Sequence, residues 1–477
     1  MILKDLIQDI VPEEVLGDLE QEIKGLAIDS RKARPGFLFF AVSGTKQDGH
    51  SFIDDALTRG ATAVICENIP ENTHVGVTYI KVKNTSDVVG TLASKFFDNP
   101  TNKIKVVGVT GTNGKTTIAT MLYNLFKALG CKGGLLSTIE NKIDDEILLA
   151  THTTGDAIEL QENLSKMIEA KCEYVFMEVS SHAAVQKRIK GINFAGGIFT
   201  NLTQDHLDYH KDLKEYSEAK KIFFEALPPQ AFALYNEDDA YGEFMVANIR
   251  AKKYSYGEHS LDFPFSIAKM SADGLQLKIK DSEVSSPLVG KFNAYNLAAI
   301  FSAATLLGIA PEKVSAALGE VSGARGRMEK VVGKSGVIGI VDYSHTPDAL
   351  KNALETINNF KGDKKVITVF GAGGDRDKTK RPIMGEIAAS LSDFTIVTSD
   401  NPRSENPSTI IEDILSGIKD GKNIETEVDR SNAIQKAITL ANVGDIVLVA
   451  GKGHEDYQEI AGVKTHFSDK ETLEKFL

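Results

Sequence analysis

The chain has 477 residues, 42% hydrophobic and 25% charged, with a formal net charge of −12 at pH 7. So acidic a balance argues against a nucleic-acid or anionic-membrane surface, and any phosphorylated substrate must meet positive charge gathered locally. The opening residues lack the basic-then-apolar order of a signal peptide, and Cys66, Cys131 and Cys172 stand in no metal-binding spacing, so the expected location is the reducing cytoplasm.

The length implies about three domains. Residues 1–99 read as a small α/β domain, with strands at 37–42 and 63–66 and a helix over 52–59. Two polar stretches, Asp29-Ser30-Arg31 and Gly44-Thr45-Lys46-Gln47-Asp48-Gly49-His50, read on their own as ordinary surface loops. The turn-rich Asp98-Asn99-Pro100-Thr101-Asn102 places the first boundary.

Ile104 to Val109 is a short β-branched run of the kind that makes a buried strand. Gly111 and Gly114 then allow a tight turn and close approach of backbone to a ligand. Lys115, Thr116 and Thr117 open a helix whose apolar residues recur at helical spacing as far as Leu129, with Gly130 as a stop. Strand, glycine loop, Gly-Lys-Thr and helix make a phosphate cradle. Loop N–H groups and the helix N-terminus hold anionic oxygens, Lys115 adds a cation, and Thr116 offers a hydroxyl to Mg²⁺. The strict pattern has a glycine where Val109 stands, so the loop is a variant with Gly108 and Gly111 on either side. A plain βα turn is the alternative, disfavoured because Gly-Lys-Thr lands where the helix begins. The expected ligand is a nucleoside triphosphate.

A second strand, 174–179, ends in Glu178-Val179-Ser180-Ser181-His182, and a carboxylate at such an exit is well placed to hold Mg²⁺. A third, 197–201, leads into Asp205-His206-Leu207-Asp208-Tyr209-His210, whose spacing fits no familiar zinc pattern; oxygen-ligated Mg²⁺ with one histidine nearby fits better. In the helix over 212–227 the apolar stripe runs Tyr216, Phe223, Phe224, Leu227, and Lys220 falls inside it; Lys221 falls with Ser217, Glu218 and Glu225 on the wet face. An inward lysine must be paired or chemically altered, unless it snorkels from the stripe's edge. Asn293 and Asn296 open a further helix, where either can serve as its N-cap, and a boundary follows near Gly326-Arg327-Met328-Glu329.

Residues 329–477 read as a Rossmann-like domain. Strands at 366–370, 394–397 and 446–450 each run into a loop dense in glycine and charge: Gly371 to Asp377, Asp400 to Arg403, and Gly451 to Glu455. Ligands of open parallel sheets bind at the carboxyl ends of strands, so three such loops on one edge point to a polar, charged ligand. There is no Gly-x-Gly-x-x-Gly and hence no expected dinucleotide site.

With these stretches in view, the chain resembles the Mur ligases over essentially its whole length. The motifs that carry the resemblance are Thr110 to Thr117, Glu178 to His182, Asp205 to His210, Ala219-Lys220, Gly326 to Glu329, Asp342 to Pro347, Asp375-Arg376-Asp377, Asp400 to Arg403 and Gly451 to Glu455. The resemblance implies an α/β protein of three domains. These are a UDP-substrate domain (1–99), a central P-loop parallel-sheet ATPase domain (100–328), and a C-terminal Rossmann-like domain that binds the amino acid (329–477). It implies that Ser30, Thr45, Lys46 and Gln47 contact the UDP end of the substrate, and that Thr153, Thr154, Ser180, Gln186 and Arg188 bind its muramoyl and diphosphate portion. Gly111, Thr112, Asn113, Gly114, Lys115, Thr116, Thr117, Asn296, Arg327 and Asp342 match ATP contacts. Thr116, Glu178, His206 and Lys220 match the metal site, for two Mg²⁺, with Lys220 matching a lysine carried N-carboxylated. His152-Thr153-Thr154-Gly155 departs from the Thr-Thr-Pro of many relatives, which withholds a sugar-contact role from His152.

Asp400-Asn401-Pro402-Arg403 resembles the branch that adds meso-2,6-diaminopimelate, and Arg376, Gly451 and Glu455 complete that pocket, with Glu455 facing an ammonium. The implied reaction is ATP-driven amide formation through an acyl phosphate, in a monomer with small-molecule partners only. The alternatives are the lysine-adding branch of the family, a folylpolyglutamate synthetase-like ligase and, from another class, a nucleotide switch that forms no bond.

Overall fold

The computed structural model describes residues 1–44, 47–148, 153–203, 211–271, 273–419 and 423–477. It divides into two compact units, Met1–Pro264 with Ser302–Ile309, and Phe265–Phe301 with Ala310–Leu477.

The first unit contains two sheets. The N-terminal one runs Glu14–Leu16, Thr78–Lys81, Ala63–Cys66, Phe37–Phe40, Gly25–Ala27, all parallel except the short edge strand Glu14–Leu16. In the second, six parallel strands lie in the order Lys252–Gly257, Phe232–Asn236, Phe194–Phe199, Lys105–Thr110, Tyr174–Glu178, Gly133–Leu136. A hairpin, Asn141–Ile143 with Glu146–Leu148, continues it in antiparallel fashion. The central strands are near-continuous apolar runs because they are covered on both faces, which is what a parallel sheet of this kind requires. Pairing of Glu178 with Val109 and of Phe199 with Thr110 sets three strand exits side by side.

Gly108 does not belong to the phosphate loop. It lies inside the strand Lys105–Thr110 and pairs with Gly197 of the neighbouring strand. A Cβ on either would come within 2.6 or 2.9 Å of the Phe223 ring. The glycine pair thus forms a trough for Phe223, letting the helix Leu213–Glu225 lie close against the sheet. That helix buries Ser217 along with Tyr216, Ala219, Lys220, Phe223 and Phe224, so its covered face is wider than the apolar stripe indicates and Ser217 is not on the wet side.

The second unit carries a six-stranded sheet in the order Glu329–Val332, Ile338–Asp342, Ile446–Ala450, Val366–Phe370, Phe394–Thr398, Ile424–Glu427, parallel except for its first strand. Successive residues point to opposite faces. Val366 and Phe370 pack with Leu350, Leu354, Ile357, Met384 and Ile410 of the helices on one side. Ile367 and Val369 pack with Ile434, Ala437 and Leu473 on the other. This is the expected Rossmann-like layering. An antiparallel meander over 263–286, with Leu275, Leu277 and Ile279 buried on one face, is not among the elements expected from sequence.

Candidate active site

The phosphate loop is built as its residue types demand. Gly111 has φ +146° and sits so close to the next strand exit that a Cβ would meet Thr200 Oγ1 at 1.9 Å. Gly114, at φ +89°, leads directly into the helix Lys115–Ala128. The loop is held from the exit of the strand Phe194–Phe199. Asn201 Oδ1 accepts from Asn113 N at 2.9 Å, and Thr200 Oγ1 donates to Asn113 O at 2.6 Å. Lys115 folds back over the loop, its Nζ donating to Gly111 O at 2.9 Å and Thr112 O at 2.7 Å. Both Thr116 and Thr117 are buried.

Glu178 is 1% exposed. Its Oε1 accepts from Thr138 N at 2.8 Å, while Oε2 is buried with no hydrogen-bond partner among the described residues. An orphaned carboxylate oxygen at a strand exit beside a phosphate loop calls for a cation or a donor. Around it the residues matched to the sugar-diphosphate portion form one linked set. Thr154 Oγ1 donates to Glu178 O at 2.9 Å and accepts from Ser180 N at 3.2 Å. Arg188 Nη1 donates to Thr154 O at 3.0 Å, its Nε donates to Gln186 Oε1 at 2.9 Å, and Thr153 Oγ1 accepts from Thr138 Oγ1 at 3.1 Å.

Lys220 points inward and is 1% exposed, so of the two alternatives open for it the snorkelling one does not hold. Its Nζ donates to Gly111 O at 2.8 Å and lies 4.4 Å from the centre of the Tyr216 ring. Tyr216 OH in turn accepts from Thr112 Oγ1 at 3.4 Å, so the helix reaches the underside of the loop at two points.

Ser30 is buried at the start of the short helical turn Ser30–Lys32 that follows the strand Gly25–Ala27, and Gln47 O accepts from Gly44 N at 3.1 Å; neither belongs to the linked set. Thr45, Lys46, His152 and the stretch from Asp205 to His210, with His206, lie outside the described residues. Among the described residues no cluster of His, Cys, Asp and Glu forms a ready-made metal site.

In the second unit, Asp342 closes the strand Ile338–Asp342 and is buried. Its Oδ2 accepts from Met328 N at 2.7 Å and its Oδ1 from the Ser344 hydroxyl. Burial lifts its pKa above the ordinary carboxylate value, opposed by these bonds and by Arg327. The Arg327 guanidinium lies 4.6 Å over the Tyr343 ring, with Nε buried and unpartnered among the described residues. Asn296 is not a cap: its Nδ2 donates to Asn293 Oδ1 at 2.9 Å inside the helix Lys291–Leu306.

The three glycine-and-charge loops do share one sheet edge, and they are tied to one another. Asn401 Nδ2 donates to Glu455 Oε2 at 2.7 Å. Lys452, 0% exposed, donates to Asn401 Oδ1 at 3.0 Å and to Glu455 Oε2 at 3.3 Å. Glu455 therefore already faces an ammonium, that of Lys452, through one of its oxygens. Burial raises the Glu455 pKa, Asp400 adds to the rise, and Lys452 and Asn401 oppose it. Arg403, at φ +52°, donates from Nη1 to Gly374 O at 2.6 Å. Arg376 is exposed in the first of these loops. Beneath them Arg381, buried, donates to Glu405 at 2.8 and 3.0 Å and to Asp413 at 2.8 Å, and holds the Glu405 carboxyl down at about 2. Lys452, Arg381 and Thr138 carry no local sequence signal for these roles, although Lys452 lies within Gly451-Lys452-Gly453-His454-Glu455.

Three family models match the chain: "Mur ligase family, catalytic domain" over residues 22–97, "Mur ligase middle domain" over 109–304, and "Mur ligase, glutamate ligase domain" over 326–453. The UDP-N-acetylmuramoyl-L-alanyl-D-glutamate--2,6-diaminopimelate ligase of Bacteroides thetaiotaomicron is 52% identical over 479 residues, spanning 100% of this chain and 99% of its own. The protein of the same name from Cytophaga hutchinsonii is 49% identical over 481 residues, spanning 100% and 99%. A solved structure of a ligase so named superposes with a TM-score of 0.72 at 31% identity, covering 99% of this chain and 98% of that one.

Proposed function

The chain belongs to the Mur ligase family, and from that premise we propose that it is the ATP-dependent ligase that joins meso-2,6-diaminopimelate to the D-glutamate of UDP-N-acetylmuramoyl-L-alanyl-D-glutamate in peptidoglycan synthesis. The observation that carries the proposal is identity near one half, end to end, with ligases named for that reaction. The bracing of Asn401 and Glu455 beside Arg403 supports it, because diaminopimelate differs from lysine by a carboxylate that a guanidinium fork can grip.

In this reading the D-glutamate carboxylate attacks the γ-phosphorus of ATP, giving an acyl phosphate and ADP. The diaminopimelate amine then attacks the acyl carbon and phosphate leaves. Loop N–H groups from Gly111 to Gly114 hold the phosphates, and Lys115 leaves the two loop carbonyls to meet them. Asn296, Arg327 and Asp342 take the nucleoside portion. Thr153, Thr154, Ser180, Gln186 and Arg188 hold the muramoyl diphosphate, and Ser30, Thr45, Lys46 and Gln47 its uridine end. Arg376, Asp400, Asn401, Pro402, Arg403, Gly451 and Glu455 orient the amine donor. The domain assignment is 1–99 for the UDP substrate, 100–328 for ATP and 329–477 for the amino acid.

The unpartnered Glu178 Oε2 and the buried Thr116 hydroxyl are hard oxygen donors that fit Mg²⁺. His206 and Lys220 are the proposed holders of a second. Bound there, Mg²⁺ supplies the positive charge that lets one anion approach another. Lys220 fits N-carboxylation: it exchanges a costly buried ammonium for an anionic ligand, and the remaining N–H can keep its bond to Gly111 O. No helix among the described residues is long and apolar enough to cross a membrane. In the proposed reading the enzyme is a cytoplasmic monomer acting on small-molecule substrates.

The test is phosphate release with components left out in turn. A ligase releases phosphate only when acceptor and amine are both present; steady hydrolysis of ATP without them would point to a nucleotide switch and overturn the proposal.

A further inference from the structure

Two residues that touch none of the proposed ligands converge on the amine-donor loops. Arg430 is the first residue of the helix Arg430–Leu440, whose cap is Asp429. A cation there opposes the positive end of the helix dipole. Arg430 is nevertheless 0% exposed, and so is its partner Asp469 on the helix Asp469–Phe476. Nε donates to Oδ1 at 2.7 Å and Nη2 to Oδ2 at 2.8 Å.

The rest of the guanidinium faces two strand exits. Nη2 also donates to Ala450 O at 3.0 Å, and Nη1 donates to Ser399 O at 3.4 Å while lying 4.0 Å from Asp400 Oδ2. Ser399 and Ala450 immediately precede Asp400-Asn401-Pro402-Arg403 and Gly451-Lys452-Gly453-His454-Glu455. One planar fork therefore spans the roots of both loops, and farther out Asn401, Lys452 and Glu455 tie their side chains together.

Stability alone explains this poorly, since a buried ion pair is often no better than apolar side chains of the same volume. A rigid spacer between two strand exits needs what arginine has and lysine lacks, several donors fixed in one plane.

We infer that Arg430, aligned by Asp469, is a positioning residue for the amine donor, setting the separation of the Arg403 loop from the Glu455 loop and with it the preference for a diacid amine. The inference rests on the diaminopimelate reading above.

The test uses the full chain, with initial rates at varied meso-diaminopimelate, L-lysine and ATP for Arg430→Lys, Asp469→Asn and the double replacement Arg430→Met with Asp469→Leu. The double replacement removes both charges together, so it leaves no uncompensated buried charge to unfold the chain. The expected result is a roughly ten- to hundredfold rise in the KM for diaminopimelate, a fall in its preference over lysine, and an unmoved KM for ATP. Folded variants that melt earlier but keep the diaminopimelate KM and the preference would overturn the inference while leaving the reaction assigned. A wild-type chain that does not turn over diaminopimelate would overturn the functional reading and this inference with it.

Discussion

Arg403→Ala isolates the reading of the second carboxylate of diaminopimelate. Arg403 sits at φ +52°, a conformation as adverse for alanine as for arginine, so the backbone term cancels and the side chain alone is compared. Two things go with it: a grip on the distal carboxylate, and the 2.6 Å bond from Nη1 to Gly374 O that steadies the neighbouring loop. A hydrogen bond to a charged group is worth about 1.5–3 kcal/mol. At about 1.4 kcal/mol per decade, that is roughly a ten- to hundredfold loss in kcat/KM for diaminopimelate. L-Lysine has no distal carboxylate, so loosening of the loop is felt with both donors and divides out of their ratio. Steady-state rates at saturating ATP and acceptor should therefore show the diaminopimelate-to-lysine ratio falling by the full factor, with the KM for ATP unchanged. An unaltered ratio would refute the assignment of Arg403.

Lys220→Ala should nearly abolish turnover and be partly rescued by small carboxylates; wild type grown with ¹³C-bicarbonate should show a carbamate resonance that the variant lacks, and full activity of the variant would end the idea. Gly108→Ala would bring a Cβ to 2.6 Å from the Phe223 ring, and such overpacking costs about 1–3 kcal/mol, read as a lower Tm; an unchanged Tm would contradict the trough. The Glu405 carboxyl falls from the usual 4.5 to about 2 through its bonds to Arg381. A depressed acid adds stability that is complete above pH 4.5 and lost as pH falls toward 2. Glu405→Gln should accordingly flatten the acid limb of a Tm-against-pH curve, and an unaltered limb would count against the Arg381 contact.

The parts of the site that could be read from the chain are those whose signal is local. The β-branched run from Ile104, Gly111 and Gly114-Lys115-Thr116 follow one another directly in the chain, and the fold reproduces the strand, the loop and the helix Lys115–Ala128. Tyr216 and Phe224 flank Lys220 at helical spacing, which puts it in the apolar stripe but does not by itself separate burial from snorkelling. The buried arginines were not legible. Arg430 meets Asp469 39 residues on, and Arg381 meets Glu405 24 residues on, so neither partner is visible from the residues around the arginine. Ser217 is buried although a small polar residue carries little weight in a hydrophobic stripe; its hydroxyl donates to Lys214 O at 2.7 Å. The meander over 263–286 has a legible alternation in Leu275, Leu277 and Ile279, but it carries no chemistry-bearing motif.

The mass of the uridine product formed from ATP, UDP-N-acetylmuramoyl-L-alanyl-D-glutamate and an equimolar mixture of meso-diaminopimelate and L-lysine is the most direct measurement. The expected product gains one diaminopimelate residue, with one phosphate released for each molecule formed. Incorporation of lysine in equal measure, or phosphate released with no new uridine species, would contradict the assignment.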